Sequence, residues 1–184
     1  MMKAPPEGIS VGPKDDNLFV WEVLMVGPAG TLYEGGMFKA SLKFPDDFPN
    51  SPPEVRPFAS RAARPLARLD GCSPPPTVDP LLSPLRAAQM RFLSDMWHPN
   101  IYPDGKVCIS ILHPPGVDRY NLQESADERW RPILGVEQVL VSVMSMLSEP
   151  NQDSPANIDA AKMMREDKKA FRQRVRKTVE RSME

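Results

Sequence analysis

The sequence contains little cysteine and little histidine, and this scarcity limits the sites that it can build. Its two cysteines are Cys72 and Cys108, and its two histidines are His98 and His113. Two cysteines are too few for the disulfide framework of a small secreted protein and suit a reducing compartment. A closed tetrahedral zinc site would need all four of these residues to converge. We therefore expect neither a disulfide framework nor a metal site.

The sequence also lacks long apolar runs and a strong charge of either sign. No apolar stretch approaches the roughly 20 residues that a membrane-spanning helix needs, and the first ten residues are too polar and too rich in proline for a signal peptide. The 23 basic and 24 acidic residues nearly cancel, so the overall charge does not indicate a nucleic acid or a membrane surface as partner. We expect a soluble intracellular protein that is not inserted into a membrane.

Strand-like sequence comes first along the chain, and helical sequence follows it. β-Branched, aromatic or alternating apolar residues predict strands at 19–26, 37–44, 90–93 and 107–112. Apolar residues at helical spacing predict one helix that begins near Val136 and ends before Pro150, and another that begins near Asp159. This order predicts an α+β domain in which the helices pack against an antiparallel sheet.

Residues 56–89 differ in composition from the rest of the chain. They contain seven prolines and five arginines but only two acidic residues, and they show little apolar periodicity. This composition predicts an irregular or disordered insertion. A proline-rich recognition segment around residues 74–76 is the alternative, since three successive prolines can form a short polyproline helix.

The last predicted helix has one strongly basic face. The basic residues of this face are Lys168, Lys169, Arg172, Arg176, Lys177 and Arg181. A basic helical face is more often a solvated surface than a binding site, so we expect no nucleic-acid partner.

Cys108 admits two interpretations. It stands among β-branched residues, where a free cysteine is usually a small buried apolar side chain. Asn100 lies eight residues earlier, however, and the turn-rich residues 101–105 between them can fold back to bring its amide near the thiol. A thiolate beside a preorganised amide donor suits acyl transfer, because negative charge develops on the carbonyl oxygen during the reaction.

At this point the sequence resembles a known family. His98-Pro99-Asn100, followed by Gly105-Lys106-Val107-Cys108-Ile109, is similar to the signature of ubiquitin-conjugating enzymes, the E2 family. Further motifs that occur in the order of that family are Tyr33-Glu34-Gly35-Gly36, Phe44-Pro45, Ser51-Pro52-Pro53, Trp130-Arg131-Pro132, Glu149-Pro150-Asn151 and Ser154-Pro155-Ala156-Asn157. The long stretch between Cys108 and Trp130 resembles the subclass with an extra acidic loop, which is associated with degradation-signalling ubiquitin chains.

The resemblance implies a fold and an activity. The fold is UBC-like: an antiparallel four-stranded sheet with C-terminal helices in a single domain, residues 1–184, which the segment 56–89 interrupts. No counterpart of the family's N-terminal helix is recognised in the sequence. Cys108 would accept ubiquitin as a thioester from an activating enzyme (E1), and a RING-type ligase (E3) would promote transfer to a lysine. The activating enzyme consumes the ATP, so no cofactor is expected on this chain.

The resemblance also assigns roles to individual residues. Asn100 would stabilise the oxyanion, Ser154 would stand at the gate of the active site, and Asn151 would shape the gate loop. His98 is expected to hold the turn, and His113 to order the inserted loop or tune the incoming lysine. The residues expected to bind the ligase are Asn50, Trp130, Pro132 and Ile133, although simple core burial explains Trp130 equally well.

Two other functions are compatible with the same residues. A non-catalytic or defective E2-like protein could keep the fold and bind partners of the ubiquitin pathway, although the inactive variants of the family lack the cysteine. A cysteine hydrolase is a more distant alternative, because neither histidine has a clear triad partner. The resemblance implies a cytoplasmic location, with the nucleus or the cytosolic face of the endoplasmic reticulum as alternatives.

Overall fold

The computed structural model describes residues 5–15, 17–45, 47–52, 90–113 and 125–184. Four antiparallel strands form one sheet in the order in which they occur along the chain. These are β1 (Ile9–Lys14), β2 (Asn17–Val26), β3 (Met37–Lys43) and β4 (Met90–Phe92). The α-helices are α1 (Val136–Ser148), α2 (Ile158–Glu166) and α3 (Lys168–Ser182), and short 3-10 helices lie at Ser110–Leu112 and Ala126–Glu128. The predicted α+β fold with a four-stranded antiparallel sheet and C-terminal helices is confirmed.

Alternation along the central strands creates the core. In β3 the side chains of Phe38, Ala40 and Leu42 are buried, whereas Met37 and Lys39 are exposed. Successive residues of a strand point to opposite faces, so one face of the sheet is apolar. The α1 residues Val139, Leu140, Val143, Met146 and Leu147 are buried in the same core. This helix-on-sheet core supports the loops that precede and follow α1.

The structure corrects three details of the predicted elements. The strand β1 was not predicted, and it contains Gly12 and Pro13, which have a weak preference for strands. Residues 107–112 are not a strand: Val107 forms an isolated bridge with Ile101, and a 3-10 helix follows at Ser110–Leu112. The single C-terminal helix is in fact two, since Asp167 ends α2 and its side chain accepts a hydrogen bond from the Ala170 N–H to begin α3.

Several predicted features lie outside the described residues. They include the segment 56–89, Cys72 within it, and most of the predicted acidic loop between His113 and Ser125. Across the part of the chain that the structure describes, none of the helices combines the length and the apolar character needed to span a bilayer.

Candidate active site

A tight hairpin places Cys108. The Tyr102 N–H donates to the Lys106 carbonyl at 2.8 Å, and the Gly105 N–H donates back to the Tyr102 carbonyl at 2.8 Å. Gly105 has a φ of +88°, and a Cβ at this position would lie 2.2 Å from the carbonyl oxygen of Phe92. Both the left-handed backbone and the close approach to β4 therefore require glycine. The hairpin reverses the direction of the chain, so Cys108 lies beside Asn100.

The backbone of Cys108 is bound to the turn at Asn100 and not to a neighbouring strand. Its N–H donates to the Asn100 carbonyl at 2.9 Å, instead of continuing a strand ladder. The thiol is half-buried, and its Sγ lies 4.0 Å from Nε2 of His113. A partly accessible thiol of this kind can meet a large acyl donor, whereas a fully buried cysteine cannot.

Asn100 joins the cysteine turn to the loop between α1 and α2. Its Nδ2 donates to the Asn151 carbonyl at 2.7 Å, and its Oδ1 accepts from the Asn151 N–H at 2.8 Å. An amide nitrogen has two hydrogens, so one N–H of Asn100 is not used by this pair of bonds. The side chain is almost completely buried, with 2 % of its surface exposed, and it is therefore held in one orientation.

His98 links the turn at Asn100 to the helix α1. Its Nδ1 accepts the Asn100 N–H at 2.9 Å, and its Nε2 lies 3.0 Å from the Met146 carbonyl of α1. A carbonyl accepts and an N–H donates, so the imidazole is neutral with its proton on Nε2. Burial lowers the pKa of His98 to about 4, and the bond to the Met146 carbonyl opposes that shift. The expectation that His98 holds the turn agrees with these contacts.

Tyr102 is a neighbour of the thiol that the sequence did not single out. The charge of the Cys108 thiolate raises the pKa of the Tyr102 hydroxyl, and partial burial, a hydrogen bond with the Cys108 side chain and the charge of Asp104 act in the same direction. The ammonium of Lys106 lies 5.6 Å from the centre of the Tyr102 ring. The phenol therefore interacts directly with the Cys108 side chain. Its position six residues before the cysteine, within a predicted turn, was the available signal.

One polar cavity of about 480 Å³ brings the predicted catalytic residues together. Asn100, Cys108, Asn151 and Ser154 all line it, and His113 lines it as well. Its carboxylate-bearing residues are Glu128, Glu149 and Asp153. Glu128 belongs to the stretch before Trp130 in which the resemblance implies an acidic loop beside the active site, whereas Glu149 and Asp153 were not assigned to the site. Such a lining favours a cationic amine and disfavours an anionic substrate.

The loop that carries Ser154 is fixed at both ends. At its start, Asn151 is held by Asn100, and the Asn151 Oδ1 accepts the Asp153 N–H at 2.9 Å. At its end, the Asn157 N–H donates to the Pro99 carbonyl at 2.8 Å, and the Asn157 side chain caps α2 by accepting from the Ala160 N–H. Ser154 between these anchors is exposed. Ser154 therefore lies on a short exposed loop whose two ends are held by hydrogen bonds.

A second predicted surface lies away from the thiol. Asn50, Pro132 and Ile133 are exposed, and Ile133 is 87 % exposed, which is unusual for an isoleucine. Pro132 and Ile133 line an apolar groove together with Phe48 and Pro49. Three of the four predicted ligase-binding residues are thus accessible to a partner.

Trp130 requires a correction. Its side chain is fully buried, so it has no surface with which to contact a ligase. Its Nε1 donates to the Pro49 carbonyl at 2.9 Å, and its ring centre lies 5.9 Å from that of Phe48. Its backbone N–H also donates to the His113 carbonyl at 3.1 Å. Trp130 therefore supports the exposed loops from within the core, which is the alternative that the sequence left open.

Comparison with known proteins identifies the family. The profile of the family described as ubiquitin-conjugating enzyme matches residues 1–71 and 81–179. The chain belongs to the ubiquitin-conjugating enzyme (E2) family. Members of this family are transferases that act through a cysteine thioester.

Individual E2 relatives match along nearly the whole chain. Ubiquitin-conjugating enzyme E2 15 of Schizosaccharomyces pombe is 46 % identical, over 100 % of this chain and 89 % of the relative. Probable ubiquitin-conjugating enzyme E2 7 of Caenorhabditis elegans is 44 % identical, over 100 % of this chain and 91 % of the relative. Ubiquitin-conjugating enzyme E2 G2 of Homo sapiens is 43 % identical, over 97 % of this chain and 87 % of the relative. Each of these relatives is named a ubiquitin-conjugating enzyme E2, in agreement with the family match.

Proposed function

We propose that this E2 carries ubiquitin as a thioester on Cys108 and transfers it to lysine with the help of a RING-type ligase. The observation that carries the proposal is the single cavity in which the half-buried Cys108 thiol, the amide of Asn100 and the gate residue Ser154 meet. Ubiquitin, the activating enzyme and the ligase are the partners, and the activating enzyme consumes the ATP.

Loading exchanges one thioester for another. The Cys108 thiolate attacks the carbonyl carbon of the thioester that ubiquitin forms with the activating enzyme, a new C–S bond forms, and the thiolate of the activating enzyme leaves. The reaction needs an accessible sulfur, and the half-buried thiol at the cavity rim meets this requirement.

Discharge moves the acyl group to nitrogen. The neutral amine of a lysine attacks the same carbonyl carbon, the amine loses a proton to solvent, and the Cys108 thiolate leaves. The N–H of Asn100 that Asn151 does not use would donate to the oxyanion that forms during this step. The carboxylates of Glu128, Glu149 and Asp153 would attract the cationic lysine to the cavity before it is deprotonated.

A ligase would dock on Asn50, Pro132 and Ile133, which are exposed, and the last two also line the apolar groove. Buried Trp130 would fix the relative position of the two loops through its bond to Pro49. An exposed isoleucine that lines an apolar groove is the kind of anchor that contributes binding energy in protein interfaces.

Ligase-stimulated discharge tests this proposal. We expect Ile133→Ala to lower the rate of discharge with a RING-type ligase by about tenfold or more, because an interface anchor is lost. Discharge to free lysine without ligase should not change. The matched control is Leu93→Ala, which removes another exposed apolar side chain, 60 % exposed, directly after β4. Equal effects of the two substitutions would reject the docking surface.

The ubiquitin products show whether an E2 builds chains or transfers single ubiquitin molecules. We propose that the chain builds degradation-signalling polyubiquitin in the cytoplasm or at the cytosolic face of the endoplasmic reticulum. A panel of ubiquitin variants, each with one lysine replaced by arginine, tests the first part. If one variant abolishes chain formation and the others do not, the linkage is specific. Transfer of a single ubiquitin with every variant would contradict chain building.

A further inference from the structure

The helix α3 concentrates positive charge in a chain whose net charge is −1. It contains one acidic residue, Glu180, and seven basic residues, for a net charge of +6. All seven basic residues are exposed: Lys168, Lys169, Arg172, Arg174, Arg176, Lys177 and Arg181. The rest of the chain is correspondingly acidic. Charge is therefore segregated onto one element, which the nearly balanced total conceals.

The charges on α3 repel one another. Three pairs of like charge stand four residues apart, at Lys168–Arg172, Arg172–Arg176 and Lys177–Arg181, and this spacing brings side chains together on a helix. Lys168 and Lys169 also occupy the first turn, where the helix dipole disfavours cations. A helix selected for its own stability would place acidic residues there. A sequence that breaks local rules in this way points to a function.

Few anions within the described residues compensate this charge. Arg176 pairs with Glu180 at 3.2 Å, and Arg181 pairs with Asp95 at 3.0 Å. The other five basic residues of α3 have no ion-pair partner in the described ranges, and neither has Arg165 at the end of α2. Their charge is thus available to a partner.

Two grooves flank α3, and each combines cations with apolar surface. Arg165, Lys168 and Arg172 line the first groove, with Leu32 and Met164 as its apolar residues. Arg174 and Lys177 line the second groove with Trp97 and Met163 as its large apolar residues, and the ion pair of Arg181 with Asp95 also lines it. The Arg174 guanidinium lies 3.6 Å from the centre of the Trp97 ring, so its orientation is fixed before any partner binds. A stacked guanidinium presents a planar edge of N–H donors that matches a carboxylate.

The buried face of α3 and the stacked Trp97 ring argue against a lipid bilayer or a nucleic acid as the partner. Phe171, Val175 and Val179 are buried in the core, so α3 has no free apolar face that could enter a lipid bilayer. Arg174 covers one face of the Trp97 ring, so that face is not available to stack on a nucleic-acid base. A polypeptide with both acidic and aliphatic side chains fits this surface. Its carboxylates would pair with the cations of α3, and its aliphatic side chains would pack in the two grooves.

We propose that the cationic surface of α3, with Arg165, binds an acidic segment of a partner polypeptide in which carboxylates alternate with aliphatic residues. The surface lies on different elements from the ligase-docking residues, and its recognition does not depend on the thioester chemistry. A partner could therefore hold the E2 through α3 while the docking loops and the thiol remain accessible.

Fluorescence anisotropy with a labelled peptide of about 16 residues, built from the repeat Glu-Glu-Asp-Leu, tests the proposal. The same peptide with glutamine and asparagine in place of the acids, a short DNA duplex, and vesicles that contain phosphatidylserine serve as alternative ligands. Binding of the acidic peptide should weaken as salt is added, because the screening length falls from about 10 Å at 0.1 M to about 3 Å at 1 M.

Matched neutralising variants locate the binding surface. Lys168→Gln with Arg172→Gln should weaken peptide binding by about 3- to 30-fold, since two exposed charge contacts are lost. Lys14→Gln with Lys39→Gln removes the same charge from β1 and β3 and should change binding by less than about twofold. The α3 variant should also unfold at the same or a higher temperature than the parent protein, because it removes two like-charge pairs.

Each remaining outcome rejects the proposal. Equal weakening by the two double variants would mean that only net charge matters. Tighter binding of DNA or of vesicles than of the acidic peptide would assign the surface to another class of partner. Failure of the acidic peptide to bind better than its uncharged counterpart would leave no role for charge.

Discussion

Acidification should destabilise the protein through His98, the buried imidazole that holds the turn before Cys108. Its pKa falls from an ordinary value of 6.5 to about 4 on folding, and its Nδ1 must remain unprotonated to accept the Asn100 N–H. The unfolded chain therefore binds a proton at a higher pH than the folded chain does. The stabilisation is fully present above pH 6.5 and is lost as the pH falls from 6.5 towards 4.

The size of the effect follows from the difference in pKa. A shift of about 2.5 units corresponds to about 3 kcal/mol, which is the total loss at pH values below 4. At pH 5.5 the loss relative to pH 7.5 should be about 1 kcal/mol, from the same relation. This part of the range separates His98 from most carboxylates, which titrate at lower pH.

Urea unfolding at pH 7.5 and at pH 5.5 measures the effect. The parent protein should lose about 1 kcal/mol of unfolding free energy between these values, as estimated above. In His98→Gln, which cannot titrate, this loss should disappear, although the variant is less stable at both pH values. If His98→Gln retains that dependence, the assignment of the neutral buried imidazole is wrong.

Three further predictions concern the site and its supports. Asn100→Asp keeps an acceptor for the Asn151 N–H but has no donor, so loading should persist while single-turnover discharge to lysine slows about 100- to 1000-fold; a parental discharge rate would remove Asn100 from the mechanism. Cys108→Ala removes the thiolate charge and should lower the pKa of Tyr102, which absorbance of the phenolate follows during alkaline titration; an unchanged titration would contradict the contact. Trp130→Ala should lower the free energy of unfolding by about 3 to 5 kcal/mol in urea because a buried ring is lost; tolerance of the substitution would mean that Trp130 is not a core anchor.

Periodicity identified the elements whose pattern depends on burial against the sheet. The alternation of Phe38, Ala40 and Leu42 predicts β3, and the stripe of Leu140, Val143 and Leu147 predicts α1, because each pattern matches the spacing of its element. The strand β1 escaped detection since its pairing with β2 outweighs the weak strand preference of Gly12 and Pro13. A short stretch of sequence does not reveal pairing of this kind with another strand.

Around the thiol, local preference pointed to the wrong structure. Residues 107–112 are β-branched enough to predict a strand, yet the Cys108 N–H binds the Asn100 carbonyl and the chain turns into a 3-10 helix. The break between α2 and α3 had a local signal, since Asp167 is a good N-cap residue, but the continuous helical spacing concealed it. Motif resemblance placed Asn100, Asn151 and Ser154 near Cys108 and an acidic loop that includes Glu128 beside them, whereas Tyr102, Glu149 and Asp153 emerged only from the three-dimensional arrangement.

Charging by the activating enzyme is the most direct test of the central claim that Cys108 carries ubiquitin. The protein is incubated with activating enzyme, ATP and ubiquitin, and the products are separated with and without a reducing agent. We expect one ubiquitin adduct that the reducing agent removes, that Cys108→Ala abolishes and that Cys72→Ala leaves intact. Cys108→Ser should give an adduct that resists the reducing agent, because an oxyester replaces the thioester. An adduct that survives in Cys108→Ala and is lost in Cys72→Ala, or no adduct with the parent chain, would contradict the account.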